Sequence, residues 1–435
     1  MYDNTTGTRN TALGAHTLQN NLTGHYNTAI GMHALQAEED GDFTTAIGYQ
    51  SLYNQNSDAA GQDVVNTAVG AGAGFGTTTG IKNTFLGGNT GYGNGSAVGT
   101  GDENVAIGYN SGYNLTTAAA NVLVGSAAGD SLTTGGYNVA VGIAALQGED
   151  TGRKNVAIGG YALTAQNSDT DNFNVAIGWE AGNDVTTSVN SVFIGSYAGD
   201  ETDDGNSNTA VGHESLSANC ADGNVALGYR ALHSVTGGTN IGIGYQAGQD
   251  STALTSGSNN VLMGINVRTD ASDAVNQIVL GHDFAGATDN SASFGKSGNF
   301  VYNVFTTDNS WTRSSDERLK RNIQDSTLGL SFINDLRPVT FNWKPSNEVP
   351  EELTNHYAEE NNMDLDTVIH GLVAQEVKAA LDKEEVDDFG GWKLENDGTQ
   401  AVSREMFIMP LIKAVQELSA TVETLQAEIE LLKGE

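Results

Sequence analysis

The stretch Ser315-Asp316-Glu317-Arg318-Leu319-Lys320 has residue types and spacing that lend themselves to chemistry. A serine followed by an acid, with a lysine five positions on, has the makings of a self-cleavage point: a hydroxyl nucleophile and an amine to act as its base. The same letters also describe a charged helix start with Ser315 as N-cap. The other titratable residues form no comparable set. Eight histidines are scattered without His-Glu-x-x-His or similar metal spacing. The acidic turns Glu38-Glu39-Asp40-Gly41-Asp42, Asp169-Thr170-Asp171 and Asp200-Glu201-Thr202-Asp203-Asp204 lack the spacing of an EF-hand or a Ca²⁺-binding nonapeptide repeat, and read as solvated charge at turn corners. No metal and no cofactor is expected.

The elements that must position this stretch differ on its two sides. Of 435 residues, the first 300 hold 49 of the 55 glycines and none of the four prolines. Trp311, Trp343 and Trp392, three of the four tryptophans, lie at or beyond the junction, which places a domain boundary near 283–315. Acids outnumber bases 53 to 19, so the chain repels polyphosphate and anionic bilayers, and nucleic acid is not an expected partner. Cys220 is the single cysteine, which excludes an intrachain disulfide. Met1-Tyr2-Asp3-Asn4 opens no basic-then-apolar leader, and no run of 18 apolar residues exists, so neither a secretory signal nor membrane insertion is expected.

Before the junction the pentad Asn-x-Ala-(Ile/Val/Leu)-Gly recurs, as in Asn10-Thr-Ala-Leu-Gly14, Asn27-Thr-Ala-Ile-Gly31 and Asn138-Val-Ala-Val-Gly142. Sixteen closing glycines run from Gly14 to Gly281; most intervals are 16 or 17 residues and four are 19 to 22. Gly-x-x-(Ala/Ser)-(Leu/Gly) usually follows, giving two short extended pieces per copy. In the first, Val/Thr and Ile point one way while Ala and Gly point the other. One unit is too small to bury its own apolar residues, so copies must stack, Asn over Asn and Ile over Ile, into a rod roughly 75–80 Å long at about 4.8 Å per coil. Glycine, asparagine and β-branched content argue against helical repeats. The Ala/Gly row is expected to let neighbouring rods approach side by side. Tyr49, Tyr109, Tyr229 and Tyr245 follow the pentad glycine, as packing residues or as a ladder for stacking on sugar rings.

These repeats, over about residues 8–282, resemble the heads of trimeric autotransporter adhesins, whose similar repeat builds a parallel β-roll. The repeat here is about three residues longer, so strand registers do not carry over. Residues 1–282 are therefore expected to form a β-solenoid shaft and 283–313 a capping or transition segment. Beyond it, Arg337-Pro-Val-Thr-Phe-Asn-Trp-Lys344 reads as a turn into a strand, and Ile369–Val377 as a strand or turn entering a helix that reaches Leu381. Leu411, Val415, Leu418, Val422, Leu425, Ile429 and Leu432 step 4-3-4-3-4-3, which predicts a coiled coil over 411–433. The β-branched/Leu alternation by itself favours two strands.

Ser315-Asp316-x-Arg318-Leu319-Lys320, Pro338-Val-x-Phe-x-Trp343, Gly371-Leu-Val-Ala-Gln-Glu376 and Pro410-Leu-Ile-Lys-Ala-Val-Gln-Glu-Leu418 together resemble the endosialidase-type intramolecular chaperones found at the C-terminus of phage tail spikes and fibres. The resemblance covers nearly all of 314–435 and implies a small α+β domain that assembles a homotrimer, directs folding of the preceding β-structure and cuts itself off. It also implies a Ser-Lys dyad, Ser315 as nucleophile and Lys320 as base, with the scissile bond between Ser315 and Asp316. Such chemistry needs a neutral amine, and lysine ordinarily titrates near ~10.4, so cutting waits for desolvation on assembly. A serine attacking its own carbonyl closes a four-membered ring, and attack on the preceding carbonyl breaks Ser314–Ser315 instead. A neighbouring chain's Ser315, an activated water or an acyl shift remain as routes. His370 and Gln375 are candidates for orienting or oxyanion groups, with ordinary packing as the competing reading.

The expected function is a trimeric phage tail fibre or tailspike shaft that attaches to a host surface. Its partners would be a glycan or protein receptor and other virion tail proteins, and it would be made in the host cytoplasm and carried in the virion. The alternatives are a polysaccharide depolymerase using paired carboxylates between coils, and an adhesin-like bacterial surface protein with the same helper.

Overall fold

A computed structural model describes residues 2–57, 59–95, 99–249, 254–307, 311, 315–353, 356–361 and 363–434. The chain divides into two compact units, Met1–Ser314 and Ser315–Glu435. The first is a parallel β-solenoid. Eighteen strands form one sheet in which each pairs with the next in sequence, and only the last, Asn299–Val304, runs antiparallel. Register keeps like over like: Thr28, Ala29 and Ile30 face Thr45, Ala46 and Ile47. A further parallel rung, Ser291–Lys296, lies within the segment expected to be a cap, before the chain turns back. Residues 308–310, 312 and 313 of that segment lie outside the described residues.

Each coil contributes one three-residue strand in most of the ladder, not two extended pieces. The stretch after the glycine is a turn, because its residues enter the left-handed region, as His33 (φ 63°) and Leu35 (φ 51°) do. The closing glycine is obligatory. Gly125 sits at φ 139°, and a Cβ there would strike the carbonyl of Gly142 in the next coil.

The pentad asparagine holds neighbouring coils together. Asn138 donates its backbone N–H to Asn121 Oδ1 (2.9 Å) and its amide to Gly152 O (3.0 Å). Asn27 does the same with Asn10 Oδ1 (2.8 Å) and Gly41 O (2.7 Å). Where Ser191 replaces asparagine, its hydroxyl accepts from Asn208 N–H instead (3.2 Å). The side chain suits this position because an amide is both donor and acceptor.

The Ala column faces inward, contrary to the expectation that it would meet a neighbouring rod: Ala29, Ala140 and Ala210 are wholly buried in the coil's own core. In several coils a large strand residue faces a small turn residue, and in others the reverse. Ala140 lies with Leu146 and Ala210 with Leu216, whereas Phe193 lies with Gly199, whose added Cβ would enter the Phe193 ring. The outward face carries the larger residues instead. Phe173, Val175, Ile177 and Trp179 alternate outward in one coil, and Tyr137, Val139, Val141 and Ile143 in another; most are exposed and the rest half-buried.

Glu38 is wholly buried, so it is not the solvated corner charge its acidic turn suggested. It accepts from Gly41 N–H (2.7 Å), Gln55 Nε2 (2.9 Å) and Ser57 Oγ (2.9 Å). Glu149 is also buried and accepts from Gly152 N–H (2.6 Å) and Asn172 (3.0 Å). Both precede lengthened coils and fasten the inserted residues.

In the second unit, helices α1 (Leu330–Asp335), α2 (Ala374–Lys383) and α3 (Ile408–Lys433) accompany two small antiparallel pairs, Val339–Phe341 with Ile369–Gly371 and Trp392–Leu394 with Gln400–Val402. Leu328, Phe332, Val377, Ala380, Leu381 and Phe407 form the core. Glu417 of α3 accepts from Leu330 N–H (2.7 Å), satisfying the first turn of α1. The heptad residues of α3, Val415 to Leu432, are exposed.

Candidate functional site

The chain around Ser315 is folded by its own acid. Asp316, rather than Ser315, caps the 3₁₀ turn Glu317–Leu319, accepting from Arg318 N–H (2.9 Å). The Arg318 guanidinium grips the same carboxylate through Nε (2.9 Å) and Nη2 (2.7 Å). That fork and the capping bond hold the Asp316 carboxyl below its ordinary range. Lys320 N–H closes the turn on Glu317 O (2.9 Å). The effect is to bring Lys320 back across Ser315, with Nζ donating to Oγ at 2.8 Å. Ser315, Asp316 and Lys320 are all exposed in the single chain.

His370 and Gln375 are exposed, His370 in the strand Ile369–Gly371 opposite Thr340 and Gln375 in the first turn of α2. The hydrogen bond of the Ser315–Lys320 pair includes neither. Ser314 lies outside the described residues. Sequence reasoning missed the partner of Glu376: Arg337, just before Pro338, forms a two-point ion pair with it and so joins two of the quoted motifs. The carboxyl of Glu376 is lowered by that pair. An arginine ahead of Pro-Val-x-Phe was visible, but nothing local pairs it across 39 positions.

Among the described residues no group of three or more His, Cys, Asp or Glu side chains is placed to hold a metal ion, and no helix is long and apolar enough to cross a membrane. Cys220 is buried, and burial pushes its thiol up. Of the tyrosines after the glycines, Tyr229 and Tyr245 stack in a column with His213, at 5.7 and 5.2 Å and 17° apart in each case, whereas Tyr49 meets His33 edge-on and Tyr109 is exposed. Both faces of Tyr229 are thereby covered, which removes it as a platform for a sugar ring.

Residues 315–386 match the family described as the chaperone of endosialidase. No curated protein matches the chain. The C-terminal unit therefore carries a chaperone domain of the kind that family defines, which implies trimer assembly. With the solenoid before it, the chain fits a tail fibre or tailspike with a C-terminal chaperone domain.

Proposed function

We propose that the chain is the shaft of a trimeric tail fibre or tailspike that attaches to a host cell surface. Its C-terminal unit aligns three chains and is then released by a cut at Ser315-Asp316. The reading is carried by a coincidence at one residue: the chaperone match, the second compact unit and the Ser315–Lys320 hydrogen bond all fall at residue 315.

Sixteen similar coils pair almost equally well in slipped registers, because a repetitive ladder specifies register poorly and non-local pairing is slow. Alignment of the three ends by the chaperone removes that ambiguity once. The outward apolar columns of the coils then supply the surface on which chains meet, since a contiguous exposed apolar face of this length marks a partner.

In the cut, Lys320 takes the Oγ proton only as a neutral amine. Desolvation on assembly favours that neutral form, so the cut waits for the trimer. Hydrolysis adds one water across the bond, leaving a carboxylate on Ser315 and an amine on Asp316. A neighbouring chain's Ser315, or a water that Ser315 and Lys320 activate, avoids the four-membered ring.

Denaturing electrophoresis with and without boiling tests this on wild type, Ser315→Ala and Lys320→Ala. Wild type is expected to give products 1–315 and 316–435, the former trimeric before boiling, and both variants to stay full-length. An uncut, trimeric wild type removes the protease and keeps the chaperone; a monomer removes both.

A further inference from the structure

One stretch of the solenoid surface is polar and recessed. A groove of about 450 Å³ crosses three successive coils, lined by the second, fifth and sixth residues after Gly195, Gly212 and Gly228. The volume lies within the roughly 300–1,000 Å³ of small-molecule sites. Nearer the N-terminus the fifth column is filled by stacked rings, Tyr53, Phe75, Tyr92 and Tyr113, at 4.9 to 5.4 Å. In the groove that column is Asp200, Ser217 and His233, and the space stands open.

The lining holds both acceptors and donors, carboxylates on the first two coils and nitrogen groups on the third. Asp200, Glu201 and Glu214 present carboxylates; Arg230 and His233 present nitrogen groups. Glu214 holds the Arg230 guanidinium by a short ion pair, with His213 Nδ1 at 3.6 Å and His233 Nε2 at 3.7 Å from its oxygens. Arginine has five donors, so Arg230 keeps others for a ligand. Tyr197 forms the end wall. Its ring meets His213 edge-on, the planes 73° apart and the centroids 5.9 Å apart.

These groups discriminate between ligand classes. Three carboxylates against one guanidinium repel an acidic sugar or a phosphate. An ammonium, which only donates, would face Arg230 in the same wall. Vicinal hydroxyls both donate and accept, and match every group present; the apolar face of a pyranose suits a tyrosine side wall. We infer that this groove binds a neutral pyranose, a hexose or N-acetylhexosamine, of the host surface, which deepens and rests on the attachment reading above.

The test uses the full chain on a panel of immobilised oligosaccharides ending in neutral hexose, N-acetylhexosamine, uronic acid or sialic acid, with adsorption to bacterial cells measured in parallel. Tyr197→Ala, Glu201→Gln and Arg230→Gln alter the groove, and Lys82→Gln, an exposed cation on a distant coil, is the control. Neutral ends should be retained in preference to acidic ones, and each groove variant should lose tenfold or more while the control does not. Circular dichroism and trimer content matching wild type keep a loss from being misfolding. Preference for acidic ends, or retention unchanged in all three groove variants, overturns the inference. Cell adsorption that persists in those variants overturns the groove and leaves attachment standing; glycan retention without cell adsorption overturns attachment and leaves the groove.

Discussion

Exchange of a large and a small residue inside one coil tests how the solenoid is packed. Phe193 is wholly buried, and Gly199 opposes it at φ 63°. The next coil solves the same problem the other way round, with Ala210 and Leu216, and Leu216 adopts φ 53°. Phe193→Ala alone should cost about 3–5 kcal/mol through lost transfer energy and an unfilled cavity. Gly199→Leu alone drives a side chain into the Phe193 ring and should cost at least the ~1–3 kcal/mol of overpacking. Together they recreate the Ala/Leu arrangement, which the backbone accommodates one coil away, so the pair should return to within about 1–2 kcal/mol of wild type. The coupling between the two sites would then exceed ~2 kcal/mol, at the upper end for residues in contact. The assay is urea unfolding of all four proteins, followed by circular dichroism and by hydrogen exchange across residues 192–232. Additive losses in the double variant would show that these two residues do not share space, and would refute the exchange.

Three more outcomes are expected. Asn121→Ala strands the Asn138 N–H and the Gly135 carbonyl, both buried partners of Asn121, and should cost about 1–3 kcal/mol for each, read as faster hydrogen exchange in residues 104–142. Asp200 is raised to about 6, chiefly by burial. A raised carboxyl favours the folded state below its unfolded value of 3.8, and this contribution is lost as pH climbs to about 6. A dry site would make that ~3 kcal/mol, but Asp200 is half-exposed and screening leaves about 1 kcal/mol. Asp200→Asn should therefore raise the melting temperature at pH 7–8 and leave it unchanged below pH 4. Ile177→Lys, on the outward face, should lower trimer content in sedimentation while each chain keeps its β-sheet circular dichroism; a trimer of wild-type strength would remove that face as the contact.

The solenoid was legible because the repeat writes its own register: a fixed Asn-to-Gly interval leaves no other way to stack Ala29 on Ala46. Which side of the strand faced inward was not, since alternation divides two faces without saying which is enclosed. Coil width decides that, and it depends on Leu216 or Phe193 filling the layer. The turn after the glycine read as extended because Ala and Leu carry no sign of a left-handed backbone, yet Leu35 adopts one. At the junction, Ser315 and Lys320 were singled out from a motif, and Lys320 Nζ lies 2.8 Å from Ser315 Oγ. The cap was displaced to Asp316, whose short carboxylate reaches Arg318 N–H. Glu38 was misjudged because an acid beside Gly and Asp looks like surface; the amide of Gln55 and the hydroxyl of Ser57, on the next coil, satisfy it when buried.

Every asparagine bridge joins a coil only to those directly above and below it, so no contact within the ladder depends on how many coils there are. Adding or removing whole coils would lengthen or shorten the solenoid in steps of about 4.8 Å. The reach of the solenoid can thus change without redesign of any joint.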